Sequence, residues 1–95
     1  MPEMRFRVRL PDDTELNCYS PSLVVKDFLQ PGQAYALEDF MQRCREALNI
    51  ASERVRARYG YACSAAMDQL AELEVHAGRF ASQPDARVAV VAFQE

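Results

Sequence analysis

Three cysteines, one histidine and a tyrosine–serine cluster around a proline are the residues here whose types could do chemistry. Cys18, Tyr19, Ser20, Pro21 and Ser22 run together as CYSPS, while Cys44, Cys63 and His76 stand apart. A reactive thiol needs a lowered pKa and a base in reach. Cys18 and Cys44 fall on apolar repeats, which predicts small buried hydrophobes. Cys63 differs: it stands at or near the start of a helix, where the dipole favours a thiolate. The cysteines and the histidine lack metal-ligand spacing such as CxxC or HxxxH, and nothing in the chain calls for a metal or another cofactor. Ser20 and Ser22 lie outside any G-x-S-x-G elbow. A cap explains Ser20 instead, because it precedes a proline at the first position of a predicted short helix.

Arginine offers a second kind of chemistry. Of eleven basic residues only Lys26 is not arginine, and fourteen acidic residues bring the net charge to −3. Guanidinium forms planar, two-pronged contacts with carboxylates and phosphates. Arg5, Arg7 and Arg9 form a row on one side of a strand, which reads first as a solvated sheet face with Glu15 or another carboxylate as cross-strand neighbour. Such a row suits an acidic partner or phosphates, but the acidic balance argues against nucleic acid. Arg54 and Arg56 fall on opposite edges of a helix stripe. Arg58 lies close to the stripe, where it would snorkel along the core or pair with a carboxylate.

The elements that must position these residues follow from hydrophobic period. Met4, Phe6, Val8 and Leu10 alternate with the arginines, which predicts a strand with one buried face. The turn PDDT leads into ELNCY, where Leu16 and Cys18 share the face of Phe6 and Val8, making a β-hairpin. A proline does not sit inside a central strand, so CYSPS ends the hairpin. Residues 21–29 then read as a short helix, with a third strand as the alternative. Leu37, Phe40, Met41, Cys44, Ala47, Leu48, Ala51, Val55 and Tyr59 form one stripe on a long helix. Glu38 and Asp39 at its start and arginines at its end complement the dipole, and Gly60 suits its close. A second helix, capped by Cys63 or Ser64, carries Ala66, Met67, Leu70, Leu73, Ala77 and Phe80. The short loop makes the two antiparallel. Glu74 falls within that stripe and needs a partner, while His76 falls off it. ARVAVVAF is too short for a typical helix and apolar on both sides, which predicts a central strand. That excess of apolar residues also points to a homodimer.

The expectation is one domain over 1–95, an α+β two-layer sandwich. Its small sheet, the N-terminal hairpin plus the C-terminal strand, packs against two long antiparallel helices, with a short helix after the hairpin. Ninety-five residues, 49% of them hydrophobic, hold one modest core. No stretch nears the ~20 apolar residues of a membrane span, the N-terminus lacks a signal core, and three unpaired cysteines fit the cytoplasm.

CYSPSLVVKDFLQPGQAY, FMQRCREALNIASERVRARYGYACSAAMDQL and the closing VAF resemble a family of small bacterial nitrogen starvation response proteins, with ASERVRARYG the most specific run. Such proteins are typically encoded beside a nitrilase-type enzyme, a radical SAM protein, an acetyltransferase and a flavin-dependent oxidoreductase. The family tends to carry a tryptophan and a Pro-Asp-Gly turn in the hairpin, where this chain has Pro11-Asp12-Asp13. The resemblance implies a cytoplasmic accessory protein and assigns no catalytic residue.

Two functional expectations follow. The first is a non-catalytic protein that binds another protein of the same gene cluster through arginine-rich helix edges. The second is a small-molecule binder or small enzyme using Tyr19, Ser20, Arg54 and Arg56, with Cys63 nearby. It requires CYSPS to meet the end of the first long helix.

Overall fold

The structure is a computed structural model and describes residues 2–61 and 64–95. Strands β1 (Met4–Arg9) and β2 (Glu15–Ser20) form the hairpin. A 3-10 helix spans Leu23–Asp27, followed by β3 (Ala34–Ala36), α1 (Leu37–Tyr59), α2 (Ser64–Gly78) and β4 (Arg87–Gln94). The sheet is antiparallel throughout, in the order β2-β1-β4-β3. Both helices lie on one side of it, giving the two-layer α+β sandwich.

The hairpin turn is closed by two backbone hydrogen bonds around Pro11-Asp12-Asp13. Asp13 N donates to Leu10 O at 2.9 Å and Leu10 N to Thr14 O at 2.7 Å. Asp13 takes φ 68°, the left-handed conformation that glycine adopts most easily. Asp12 steadies the turn by accepting from Thr14 N at 3.1 Å and from Thr14 Oγ1 at 2.6 Å.

Residues 23–27 are helical rather than a strand, but the cap shifts by two residues. Ser22, not Ser20, is the N-cap, and its Oγ accepts from Val24 N at 3.3 Å. Pro21 therefore precedes the cap. The Ser20 hydroxyl closes a turn instead: its Oγ donates to Ser22 O at 2.7 Å and accepts from Ser22 N at 3.3 Å. That turn hides the polar groups of a fully buried serine.

α1 begins and ends where its stripe and Gly60 predict. Gly60 has φ 83°, and its N–H closes the helix on Arg56 O at 2.8 Å. The stripe holds from Phe40 to Val55, but Tyr59 is 49% exposed, because the helix runs past the end of the sheet's cover. Arg58 is likewise exposed and lies over the Tyr59 ring at 5.8 Å, rather than along the core.

The core fills the space between the helices and the inner side of the sheet. Phe6, Val8, Cys18, Val88 and Val90 face Phe40, Met41, Cys44, Leu48 and Leu73, all but fully buried. Each such side chain contributes about 1.5–3 kcal/mol. Glu74, the carboxylate in the α2 stripe, meets Arg45 of α1 through two bonds, 2.7 and 3.3 Å. Leu37 and Met41 share a groove with Ala77 and Phe80, which sets α1 and α2 antiparallel.

β4 is central, as its composition predicts, but it is not equally buried on both sides. Val88 and Val90 are buried, while residues 91–93 are half-buried. A bulge opposite Arg7 and Val8 takes up Val91. Outward positions carry Ala89 and Ala92, opposite Arg9 and Arg7. β3 has no counterpart in the sequence expectation. Three residues are too few to show a period, and Ala-Tyr-Ala reads as a helix lead-in.

Candidate functional site

Two regions bring the candidate residues together. At the first, CYSPS meets the second half of α1: Arg54 Nη1 donates to Ser22 Oγ at 3.0 Å. Ser22 thus caps the 3-10 helix and anchors α1 to the hairpin. The remaining candidates scatter. The Tyr19 side chain turns to the strands, where its hydroxyl donates to Glu3 Oε2 at 2.9 Å and Arg5 lies 5.6 Å from its ring centre. Arg56 is exposed and pairs with Glu53 at 3.5 Å. Cys63 lies outside the described residues.

Gln69 is absent from the sequence expectation. It sits between Ala66 and Leu73 in the apolar stripe of α2, and that polar break was its only signal. Its Oε1 accepts from Tyr19 N at 2.9 Å. β2 is an edge strand, so the N–H of Tyr19 points out of the sheet, and Gln69 supplies its acceptor. The same bond fixes the amide orientation and leaves Nε2 buried with no partner among the described residues.

Burial raises the two described thiols. Desolvation, with Glu72 adding to it, pushes Cys18 up to about 12. Cys44 is raised further, again chiefly by desolvation. Both are neutral near pH 7, the state of a packed hydrophobe rather than a nucleophile.

The second region is the open side of the sheet. Arg5, Arg7 and Arg9 alternate with Met4, Phe6 and Val8 and point away from the helices. Arg7 and Arg9 share one carboxylate, Glu15, at 3.4 and 3.0 Å. Arg5 has the Tyr19 ring and no ion pair among the described residues. Beside this row the floor drops, because β4 presents Ala89 and Ala92 and β3 presents Ala34 and Ala36. A hollow of about 220 Å³ lies between Arg5, Arg7, Asn17, Ala92 and Gln94. Another of about 250 Å³ lies further along, between Arg9, Arg87 and Ala89.

The arginines of the helix layer are engaged differently. Arg43 reaches Asp39 and the carbonyl of Phe28, Arg45 reaches Glu74, Arg54 reaches Ser22 and Arg79 reaches Asp12. Of the helix-edge arginines expected to meet a partner, Arg54 is held by Ser22, while Arg56 is exposed beside Glu53. A further groove of about 420 Å³ runs between the start of α1 and the end of α2, floored by Leu37, Met41, Ala77 and Phe80. Among the described residues, no helix is long and apolar enough to cross a membrane.

No curated protein and no solved structure matches this chain significantly. The profile of one family does, that of the nitrogen starvation-induced protein NitG, over residues 5–93. Since that match spans the hairpin, both helices and nearly all of β4, the chain belongs to the NitG family of nitrogen starvation-induced proteins.

Proposed function

We propose that this chain is a non-catalytic accessory protein of the nitrogen starvation response, acting by docking an acidic surface of a partner protein on the open side of its sheet. The partner we favour is an enzyme encoded in the same gene cluster, and the setting is the cytoplasm. The observation that carries this reading is a row of three guanidiniums on a face free of helices, where Arg7 and Arg9 share Glu15 and Arg5 has no ion pair among the described residues. Arginine is enriched at protein interfaces and docks carboxylates with two parallel bonds. A homodimer through this face is the weaker form of the proposal, since it would set like rows of arginine against each other. The test is a tagged pull-down from nitrogen-starved cells, with the wild-type chain beside an Arg5→Glu/Arg7→Glu variant. Stoichiometric recovery of an enzyme by the wild type and its loss with the variant is the expected result. Recovery unchanged by the variant would remove the sheet face from the proposal.

The contact between Arg54 and Ser22 favours a second reading, a small-molecule site at Tyr19, Ser20, Arg54, Arg56 and Cys63. Under it, Arg56→Ala and Tyr19→Phe abolish ligand binding in a thermal-shift screen of nitrogenous metabolites and leave the melting temperature nearly unchanged. Unfolding of both variants would mark those residues as structural.

A further inference from the structure

We propose that the open face takes an extended acidic segment of the partner, with carboxylates at every second residue, laid along the seam between β1 and β4. The inference rests on the partner-docking reading above and adds the shape and spacing of what docks.

Spacing is the first argument. Arg5, Arg7 and Arg9 are alternate residues of one strand, so their Cα atoms repeat at about 6.7 Å. An extended peptide presents alternate side chains at the same repeat and on one side, so three carboxylates can meet three guanidiniums in register. A helix cannot match this row. Its i, i+4 positions rise by about 6 Å but drift by about 40° around the axis at each step, which carries the third carboxylate off the line.

Relief is the second. Ala89 and Ala92 make a low floor directly beside the row, and the hollows at Arg5–Arg7 and at Arg9–Arg87 lie in sequence along it. An extended backbone fits on such a floor with its acidic side chains leaning toward β1.

Availability is the third. The pairs of Arg7 and Arg9 with Glu15 are about half exposed, 52% and 49% at the arginine side chains, and such pairs hold only about 0–1 kcal/mol. An incoming carboxylate can displace Glu15 at little cost. Arg5 lies 5.6 Å from the centre of the Tyr19 ring and has no ion pair among the described residues for an incoming carboxylate to displace.

Charge at the ends sets the length. Glu3 and Glu95 stand at the Arg5 end of the seam, and Asp13 and Asp85 at the Arg9 end. Lys26 pairs with Glu95, and Arg87 lines the hollow at the Arg9 end, so Glu3, Asp13 and Asp85 are the charges that favour a segment of about three carboxylates over a longer polyanion.

The experiment is fluorescence anisotropy on the full chain with four labelled probes. They are a seven-residue peptide of alternating threonine and glutamate, a peptide of the same composition with its glutamates in one block, a helix-stabilised peptide with glutamates four residues apart, and a twelve-nucleotide oligothymidylate. The alternating peptide is expected to bind about ten-fold more tightly than each of the others. It should weaken by about ten-fold with Arg7→Glu, and likewise with Arg5→Gln/Arg7→Gln, but not with Arg58→Glu, an exposed arginine of α1. Circular dichroism would confirm that each variant is folded. Equal binding of the blocked peptide, tighter binding of the helical peptide or the oligonucleotide, or no binding at all would overturn the inference. If the peptides fail while Arg5→Glu/Arg7→Glu still abolishes partner recovery, the extended segment falls and partner docking stands. If both fail, both readings fall.

Discussion

Arginine does two different things in the two layers of this protein. In the helix layer Arg43, Arg45 and Arg54 reach across to another element: the carbonyl of Phe28, the carboxylate of Glu74 and the hydroxyl of Ser22. On the open face of β1, Arg5, Arg7 and Arg9 find their ion-pair and ring partners among the described residues on the neighbouring strand β2. Contacts in the first group close the fold on itself. The second group leaves donors facing solvent, with Arg7 and Arg9 sharing Glu15. Composition alone would call all of these arginines surface residues; what separates them is whether a partner group lies within reach once the layers have packed.

Breaking the strand from its inner side should have the largest effect. Phe6→Ala removes a fully buried ring from the core and should cost about 3–5 kcal/mol, read as a lowered urea midpoint. At the sheet edge, Gln69→Leu strips the acceptor from the N–H of Tyr19 while keeping an apolar body in the α2 stripe. A loss of about 1–3 kcal/mol is expected, with faster exchange of that amide by hydrogen-exchange NMR. A direct comparison of the two groups of arginines sharpens the contrast. Arg54→Met should cost about 1 kcal/mol through its bond to Ser22, and Arg5→Met less than about 0.5 kcal/mol, in parallel denaturation series. Equal losses would mean that the two groups serve the fold alike. Asp13→Gly should raise stability by about 0.5 kcal/mol, because glycine relieves the left-handed residue of the turn at a partial cost in chain entropy.

The smallest effect concerns pH. Thr14, through its hydroxyl and its N–H, holds the Asp12 carboxyl below its ordinary 3.8, with Arg79 assisting. A lowered folded pKa means that the contribution is present above the unfolded value and is lost as pH falls through the folded one. The stability gap between the wild type and Asp12→Asn should therefore narrow as pH falls below about 4, in urea midpoints taken at stepped pH.

Much of the fold was legible because its long elements carry long patterns. Nine apolar positions at three- and four-residue steps leave little freedom in placing α1, and alternation over MRFRVR does the same for β1. β3 escaped because three residues have no period, and it forms only because β4 offers an edge to pair with. At the candidate site, the alternating arginines and Glu15 were visible as cross-strand neighbours. Gln69 was visible only as a polar break in a stripe. Its role depends on an edge-strand N–H fifty residues earlier in the chain.

The cap after the hairpin shows the same division in two residues. The sequence pointed to Ser20 as the cap, with Pro21 at the first helical position. Tertiary structure chose Ser22, because the strand runs through Ser20 and buries it, and because Arg54, thirty-two residues on, reaches the Ser22 hydroxyl. By itself the sequence determined the hairpin, the two long helices, the last strand and which side of each helix and of β1 is apolar, because those properties are set by local period and local sterics. Only the tertiary structure decided which arginines tie one layer to another and which stay exposed on the open face. That depends on groups distant in the chain coming within about 3 Å, a distance that no periodicity encodes.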